Sequence, residues 1–501
     1  MSKLTSLISL VHSLTKAEKK KISSLFDIEK NNADYVVLLK VINASPTIDE
    51  QKIKDDFSKQ RPSSAFNTAV NYLLDNILQI LCQLRINQDS YYYLFNQLMN
   101  AKVLYEKSIY HECFQLISKV QGEAIRYENF NVLLLAQKME LDYLLSLDFP
   151  DISEKELLNK QYRLNETLKQ IRKINEHASL YELLKHRILH KGPARSTKQK
   201  QEMNDLVVSE MSIVASSGFK SFEIQKNHKL FQSNYLMNVG DFKSALNSYY
   251  GLNNIFEQNM HLLSNPPMYY LSTIEGILEI LRNSRNYEEM GYFIEQLKKI
   301  ETSSVNFKYQ IDSVIFLYKL LPLIDTFKFV EASKLIETHK ESIYDKINFL
   351  IAEKQIQLWL YNAIVFIGTR EFAKARKVIT QITQNERKIF SLPLFRTIRL
   401  IKLMVLYEQK EFDYMEFEIR SVKREINNNE KSYQLEQLIL KFLSKMPDEL
   451  PKEKRLLFWQ KLKPQLDEIK NNKFEMQLLH IFDFITWMES KILPHPSNSI
   501  K

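Results

Sequence analysis

Three side chains spaced four residues apart, Glu182, His186 and His190, are the strongest candidates for metal chemistry in this chain. On a helix they share one face, where two imidazoles and a carboxylate can bind one zinc ion. The spacing also suits a helix that stops at Gly192, because a histidine in the last turn favours the negative end of the helix dipole. No HExxH pattern, cysteine pair or aspartate-rich loop accompanies the three residues. We therefore predict no metal site and no cofactor.

Nucleophilic side chains lack the sequence context that would activate them. Cys82 and Cys113 both fall in apolar helical patterns, which predicts small core residues rather than a disulfide or a reactive thiol. No serine lies in a nucleophile-elbow pattern, and 8 glycines in 501 residues leave few loops that could cradle a phosphate. Trp459, Trp487 and the aromatic stretch 480–488 fit an apolar helix face better than a cofactor box. The sequence thus predicts that the protein is not an enzyme.

A basic segment surrounds the histidines. Residues 155–229 hold 15 Lys and Arg side chains against 8 acidic ones, which accounts for most of the net charge of +9. Such a segment is a candidate docking site for an acidic partner, although charge runs of this size are more often solvated loops. Its acid-free centre carries four cations, Lys191, Arg195, Lys198 and Lys200.

A repeated pair of residues identifies the elements that must position these side chains. The pair is an aromatic residue followed three positions later by a small or flexible one, and successive pairs are 45, 42, 43 and 40 residues apart. Residues three apart share a helix face, so the ring fills space between helices while the small residue lets two backbones approach. A period of this length predicts stacked helical hairpins, because only a neighbouring hairpin can cover each apolar face. The pairs are Phe242/Ala245, Tyr287/Met290, Phe329/Ala332, Phe372/Ala375 and Phe412/Met415.

The best-formed unit contains Trp359, Ala363, Phe366, Phe372 and Ala375. It resembles the tetratricopeptide repeat, which has an aromatic, a small residue and a second aromatic on its first helix, then an aromatic and an alanine on its second. The layout of the whole chain also resembles a group of bacterial proteins with such repeats. The resemblance implies an all-α fold, an α-solenoid of hairpins whose period of 40–45 residues exceeds the usual ~34.

The repeats also suggest where the chain divides. An earlier unit is visible around Tyr110, well before the five pairs, and the sequence before it follows a different pattern. We predict an N-terminal helical module at 1–88, a tetratricopeptide-like array at 89–445, and capping helices with a polar tail at 446–501. Atypical terminal helices are expected where a solenoid must cover its last apolar face.

Two capping signals organise the N-terminal module. Thr15 and Glu18 form a capping box, in which hydroxyl and carboxylate satisfy each other's free amides, and the box opens a helix through Phe26. By the same logic, Thr47 is predicted to cap a short helix that ends at Phe57. Short polar connections between these helices predict a compact bundle.

The short helix and a following long helix at 63–84 resemble a helix-turn-helix. In a DNA-binding module, the first turns of the long helix would face base edges while Lys59 and Arg61 contact phosphate. Residues 1–90 carry only 12 basic against 10 acidic side chains, a surplus too small for the usual phosphate contribution. A transcriptional regulator that contacts DNA through 47–84 is therefore the alternative function. Its base-facing candidates are Ser63, Ser64, Asn67, Thr68 and Asn71.

The function that the sequence predicts first is a non-catalytic scaffold that binds a protein or peptide in the concave groove of its superhelix. Polar amides on first helices are the candidate groove residues, because they have no evident core role and can bond to a peptide backbone. No apolar stretch is long enough to span a membrane, so we expect a cytoplasmic protein, with nucleic acid disfavoured as a partner. The candidate amides are Asn234, Asn238, Gln355 and Asn362.

Overall fold

A computed structural model gives the fold of the chain. Its described residues form helices and no strand, which confirms the predicted all-α class, and consecutive helices pack on one another. None of the helices described combines the length and apolarity needed to cross a membrane. The described residues are 2–27, 31–45, 49–191, 194, 197–216, 221–264, 266–302, 304–383, 394–428, 434–445, 450–470, 472, 475–479 and 481–492.

The α-helices are numbered here in chain order. They are α1 Lys3–Ser13, α2 Lys16–Leu25, α3 Asp34–Ala44, α4 Glu50–Ser58, α5 Phe66–Arg85, α6 Ser90–Glu106, α7 Tyr110–Arg126, α8 Phe130–Ser146, α9 Glu154–Lys191, α10 Thr197–Gln201, α11 Asn204–Ser216, α12 Phe222–Asn238, α13 Phe242–Gln258, α14 Met268–Asn283, α15 Tyr287–Lys298, α16 Val305–Asp325, α17 Phe329–Thr338, α18 Ala352–Gly368, α19 Phe372–Thr383, α20 Phe395–Glu408, α21 Phe412–Asn428, α22 Gln434–Ser444, α23 Lys452–Lys470, α24 Met476–Leu479 and α25 Phe484–Ile492. Short 3₁₀ turns cover Ser63–Ala65, Met260–Leu262 and Ile347–Phe349, and a π-helical turn covers Lys340–Tyr344.

The helices group into two compact units. The division into an N-terminal module, a repeat array and a cap stays a prediction, as does the solenoid arrangement of the hairpins. Unit 1 contains Met1–Lys173, Asn259–Met268 and Glu301–Lys308, and unit 2 contains Ile174–Gln258, Tyr269–Ile300 and Tyr309–Lys501.

Unit 1 begins with helices α1 to α5, which share one apolar core. The capping box is confirmed: the Thr15 hydroxyl accepts from the Glu18 amide at 3.2 Å, and the Glu18 carboxylate accepts from the Thr15 amide at 2.8 Å. The residue predicted to cap the N-terminus of α4 was wrong. Asp49 caps this helix by accepting from the Lys52 amide at 3.0 Å, whereas Thr47 lies outside the described residues. An aspartate next to the first helical residue takes the role that the sequence assigned to a more distant threonine.

Seven corners whose second helix begins with an aromatic residue share one backbone motif, and the corner after α8 makes the same two bonds at Asp148. The amide after the left-handed residue donates to the carbonyl five positions back at 2.8–3.0 Å, and the left-handed residue's own amide donates three positions back at 2.8–3.2 Å. These are the two bonds of the Schellman motif, which satisfies carbonyls left free at a helix end. Glycine favours this conformation most, yet only one of the seven corners uses it. The left-handed residues are Ser108, Glu128, Gly240, Arg285, Phe327, Arg370 and Lys410.

In each of the seven corners the next helix begins with an aromatic residue, two positions after the left-handed one. The five predicted pairs are therefore correctly placed: their aromatics open α13, α15, α17, α19 and α21. The small or flexible partner is at most 1% exposed in all five pairs, whereas the rings are only half-buried. The rings therefore keep part of their surface open to solvent. The side chain three positions later makes the fully buried contact.

Glycines on first helices let two hairpins approach closely. A Cβ atom added to Gly276 of α14 would lie 2.5 Å from the ring of Tyr249 on α13. A Cβ atom added to Gly368 of α18 would lie 2.2 Å from the ring of Phe329 on α17. No real Cβ contact is that short, so these rings pack where only glycine leaves room.

The two cysteines differ in environment. Cys113 is buried, its thiol donates to the carbonyl of Ala101 at 3.2 Å, and burial raises the pKa of that thiol. Cys82 is exposed, so its prediction as a core residue was wrong. Apolar neighbours in sequence do not decide which face of α5 a residue occupies, because the core face repeats only every three to four positions.

Candidate functional site

The four candidate groove amides do not form one open surface. Asn238 and Asn362 are buried, and the side-chain oxygen of Asn238 accepts from the Ala194 amide at 2.8 Å. The premise that these amides have no core role is therefore wrong for both residues. Asn234 and Gln355 are half-buried, and each donates to a backbone carbonyl four or five residues back. Their role in binding a peptide stays a prediction.

The basic segment is described only in part. Lys198 is exposed and Lys200 half-buried on the short helix α10. Arg195 and the side chain of Lys191 lie outside the described residues. Nearby, Arg187 forms a bidentate pair with Asp205 at 2.6 and 2.7 Å, which fastens α9 to α11. Recognition of an acidic partner by this segment stays a prediction.

The candidate DNA-contacting face is exposed on α5 and on the 3₁₀ turn before it, but its cations are engaged. Lys59 pairs with Asp56 at 2.6 Å, and Arg61 pairs with Asp34 at 3.0 Å. Asn71 accepts from Lys3 at 3.0 Å. A phosphate group would therefore have to compete with carboxylates for both of the predicted phosphate contacts. DNA binding by 47–84 stays an untested alternative.

Three histidines of α9 lie in two different environments. The rings of His186 and His190 are 4.2 Å apart, while His177 is buried with its ring 6.4 Å from that of His228 on α12. His228 contacts the carboxylate of Glu210. Across the described ranges of the chain, no three His, Cys, Asp or Glu side chains are grouped so that they could hold a metal ion.

An open cleft of about 280 Å³ lies between α19, α20 and α21. Ile379, Val405 and Leu406 form an apolar floor, each at most 4% exposed. Tyr414 and Phe417 stand at its edge and are 68% and 67% exposed. Two exposed rings next to an apolar floor form a patch of the kind that marks binding sites. We name these lining residues, with Arg376, Thr380, Lys402 and Glu418, the α19–α21 cleft.

The charged side chains of the cleft are paired. Glu418 accepts from Arg399 at 2.8 Å and from Lys402 at 3.0 Å, and Arg376 contacts Glu411. Burial alone would raise the pKa of the Glu418 carboxyl, but the charge of Arg399 and the bonds from both cations outweigh it, so this pKa lies below its usual value. The charged side chains that line the cleft are therefore held by ion pairs.

The sequence contained a signal for this cleft that the repeat pattern hid. In α21 the buried positions Met415, Ile419 and Val422 follow helical spacing. Tyr414 and Phe417 fall off this stripe, where a surface helix normally carries polar residues. Two aromatic residues on the solvent side of an amphipathic helix would have marked the site.

A second polar feature joins first helices of different hairpins in unit 2. Glu275 of α14 contacts Lys354 of α18, and both side chains are about three-quarters buried. Glu279, one turn further along α14, accepts from the hydroxyl of Tyr318 on α16 at 2.9 Å. Polar side chains of α14 therefore contact both α16 and α18 along this stretch.

The same three helices are tied again by a buried arginine. Arg282 of α14 donates to both carboxylate oxygens of Asp325 on α16 at 2.9 Å, and to the hydroxyl of Tyr361 on α18 at 3.0 Å. Burial opposes the charge of Arg282, but Tyr361 and Asp325 outweigh it and raise its pKa. A bidentate arginine pair of this kind fixes the angle between helices as well as their distance.

Comparison of the chain with protein-family models and with curated proteins finds no match to either. The resemblance to the tetratricopeptide repeat therefore depends on the residues of this chain alone.

Proposed function

We propose that the protein is a non-catalytic scaffold that binds a short segment of another protein in the α19–α21 cleft. The observation that carries the proposal is the pair Tyr414 and Phe417, two aromatic rings two-thirds exposed over an apolar floor. Tyrosine and other large rings at the centre of an interface contribute most of its affinity, because they bury much apolar area at little entropic cost. The pair therefore acts as the anchor of the interface.

The ionisable groups of the cleft favour recognition over proton transfer. A general acid or base needs a pKa near the working pH, whereas the pKa of Glu418 is lowered by its two cationic partners. Its carboxylate stays ionised and holds Arg399 and Lys402 in place. Such fixed charges select a partner by complementarity.

The expected partner segment carries an apolar or aromatic side chain next to an acidic one. The apolar group covers the rings and the floor, while the acid lies near Arg376 and Lys402, the two cations that line the cleft. A tetratricopeptide-like solenoid and a cytoplasmic location complete this proposal, and both stay predictions.

Selection of peptides from a random displayed library against the full-length protein tests the proposal. We expect enriched peptides to bind with micromolar Kd and to lose at least about tenfold in affinity when Tyr414→Ala and Phe417→Ala are combined, since each ring contributes more than about 1 kcal/mol. Enriched sequences should combine aromatic and acidic residues.

Tyr292→Ala is the matched control, because Tyr292 lies on α15 of the same unit and is also more than half exposed. The control should bind the peptides as the unchanged protein does. Equal binding by the double variant, or enrichment of peptides without any preference, would remove the cleft from the account.

A further inference from the structure

Two largely buried histidines of unit 2 lie next to one buried carboxylate. His177 of α9 is 1% exposed, and its ring centre is 6.4 Å from that of His228 on α12. His228 contacts the carboxylate of Glu210 on α11, and Glu210 is 6% exposed. These three residues, which we name the histidine cluster, therefore connect three helices inside unit 2. The cluster shares no residue with the α19–α21 cleft, so it extends beyond the proposed function.

Helix α11 has a small apolar contact surface. Of its side chains that the structure describes, Leu206 and Glu210 are buried, whereas Val208 and Met211 are each 65% exposed. A helix that fully buries one aliphatic side chain gains less from the hydrophobic effect than a typical core helix does. Its polar contacts therefore contribute a larger share of its attachment.

Two side-chain contacts that attach α11 respond differently to pH. Arg187 of α9 donates to both carboxylate oxygens of Asp205 at 2.6 and 2.7 Å. The bonds from Arg187 lower the pKa of Asp205, so this pair stays charged in mild acid. Histidine, in contrast, ordinarily changes its charge between about pH 5 and pH 8. Mild acid therefore acts on the histidine cluster and leaves the pair of Arg187 and Asp205 intact.

His177 is the member of the cluster that resists a charge. Burial lowers the pKa of its imidazole, and the charge of His228 lowers it further. Glu210 of α11 and Glu176 of α9 act in the opposite direction, but they do not outweigh these effects. A proton on His177 would bring two imidazolium rings to 6.4 Å beside one buried carboxylate. Because water stabilises the added charge, the proton favours a state in which the cluster is open to solvent.

The closed cluster is most stable at neutral pH. In an open state, the pKa of His177 returns to its ordinary value of about 6.5. The closed arrangement therefore keeps its full stability above about pH 6.5 and loses it as the pH falls through the lower pKa of the buried ring.

We propose that the histidine cluster is a pH-sensitive latch, which holds the C-terminal part of α11 against α9 and α12 at neutral pH and releases it in mild acid. The start of α11 stays attached to α9 through Arg187 and Asp205. The helix therefore pivots about that pair, and its released part exposes the side chain of Glu210. A charge change that biases a two-state element in this way is a common form of switch.

Hydrogen–deuterium exchange of the full-length protein, read by mass spectrometry of its peptides, is the measurement. Rates are compared at about pH 7.5 and about pH 5.5, after correction for the intrinsic pH dependence of exchange. We expect the amides of 207–215 to lose protection at least about tenfold in acid. Helix α13, which belongs to the same unit, should keep its protection.

His177→Gln keeps a polar side chain that cannot take up a proton, so the loss of protection in acid should shrink to less than about twofold. His186→Gln is the matched control, because His186 lies on the same helix and is exposed. It should respond to acid as the unchanged protein does. Glu210→Gln removes the compensating carboxylate and should move the release to higher pH, by at least about 0.5 pH unit.

The proposal is overturned if α11 keeps its protection at about pH 5.5 in the unchanged protein. It is also overturned if His177→Gln and His186→Gln lose protection equally in acid, because the response would then come from another group. Where His177→Gln does not fold at neutral pH, Glu210→Gln decides: a release that stays at the same pH or moves to lower pH contradicts the latch. None of these results changes the test of Tyr414 and Phe417.

Discussion

The corners of the hairpins and the α19–α21 cleft follow opposite rules. Seven corners repeat the same two backbone bonds although Ser, Glu, Gly, Arg, Phe and Lys take turns at the left-handed position. The cleft depends on side chains, since Tyr414 and Phe417 stand outside the repeated pattern. The comparison shows that the repeated residues of the sequence predict where the backbone turns between helices. Binding residues should instead be sought at positions outside the repeat.

The comparison predicts the largest losses of stability where helices of different hairpins are tied together. Arg282→Ala leaves the carboxylate of Asp325 and the hydroxyl of Tyr361 without their donor, and we expect it to lower the free energy of unfolding by about 3–5 kcal/mol. Urea unfolding measures the change. Lys298→Ala is the control, because its pair with Glu295 is exposed and should contribute far less to stability. Similar small losses in both variants would contradict the role given to Arg282.

A close approach between hairpins should give the next largest effect. In Gly368→Ala the new methyl group meets the ring of Phe329, so we expect a loss of about 1–3 kcal/mol on urea unfolding. Gly291→Ala is the matched control, because a Cβ atom there has nothing within 4 Å. It should gain about 0.5–1 kcal/mol from the better helix former. A gain in both variants would show that the hairpins do not approach as described.

Substitutions at the left-handed corner residues should have intermediate effects of opposite sign. Gly240→Ala forces a side chain into the left-handed conformation and should cost about 1–2 kcal/mol. Lys410→Gly relieves the same strain and should gain about 0.5–1 kcal/mol. Thermal unfolding of the two variants measures the pair. If the two changes had the same sign, the corners would not be equivalent.

The cleft should respond to pH with the smallest effect on stability. Because the pKa of Glu418 is lower in the folded state, its ion pairs stabilise the protein above its unfolded pKa of about 4.3, and this contribution is lost as the pH falls through the folded value. Glu418→Gln should therefore lower the free energy of unfolding by about 1 kcal/mol at neutral pH. The difference between variant and unchanged protein should shrink below about pH 4. A difference that stays constant under acid would exclude Glu418 as its source.

Local signals in the sequence predicted much of the fold. The aromatic that opens α19, Phe372, and the capping box at Thr15 depend on neighbours within a few residues, so both are found without knowledge of the tertiary structure. Burial was predicted less well, because it depends on distant parts of the chain. The buried side chain of Asn238, for example, accepts from the Ala194 amide, which is 44 residues away in sequence. Cys82 was wrongly predicted to be buried, because the helices that pack on α5 determine which of its faces is buried. The cleft was missed because it is assembled from three helices.

The division between framework and binding surface is tested most directly by the double variant Tyr414→Ala, Phe417→Ala. Its free energy of unfolding in urea and its affinity for the selected peptides are measured on the same preparation. We predict a change in stability below about 0.5 kcal/mol, since both rings are exposed, together with at least a tenfold loss of peptide affinity. A loss of stability above about 1 kcal/mol with unchanged peptide affinity would contradict the account, because the rings would then belong to the framework.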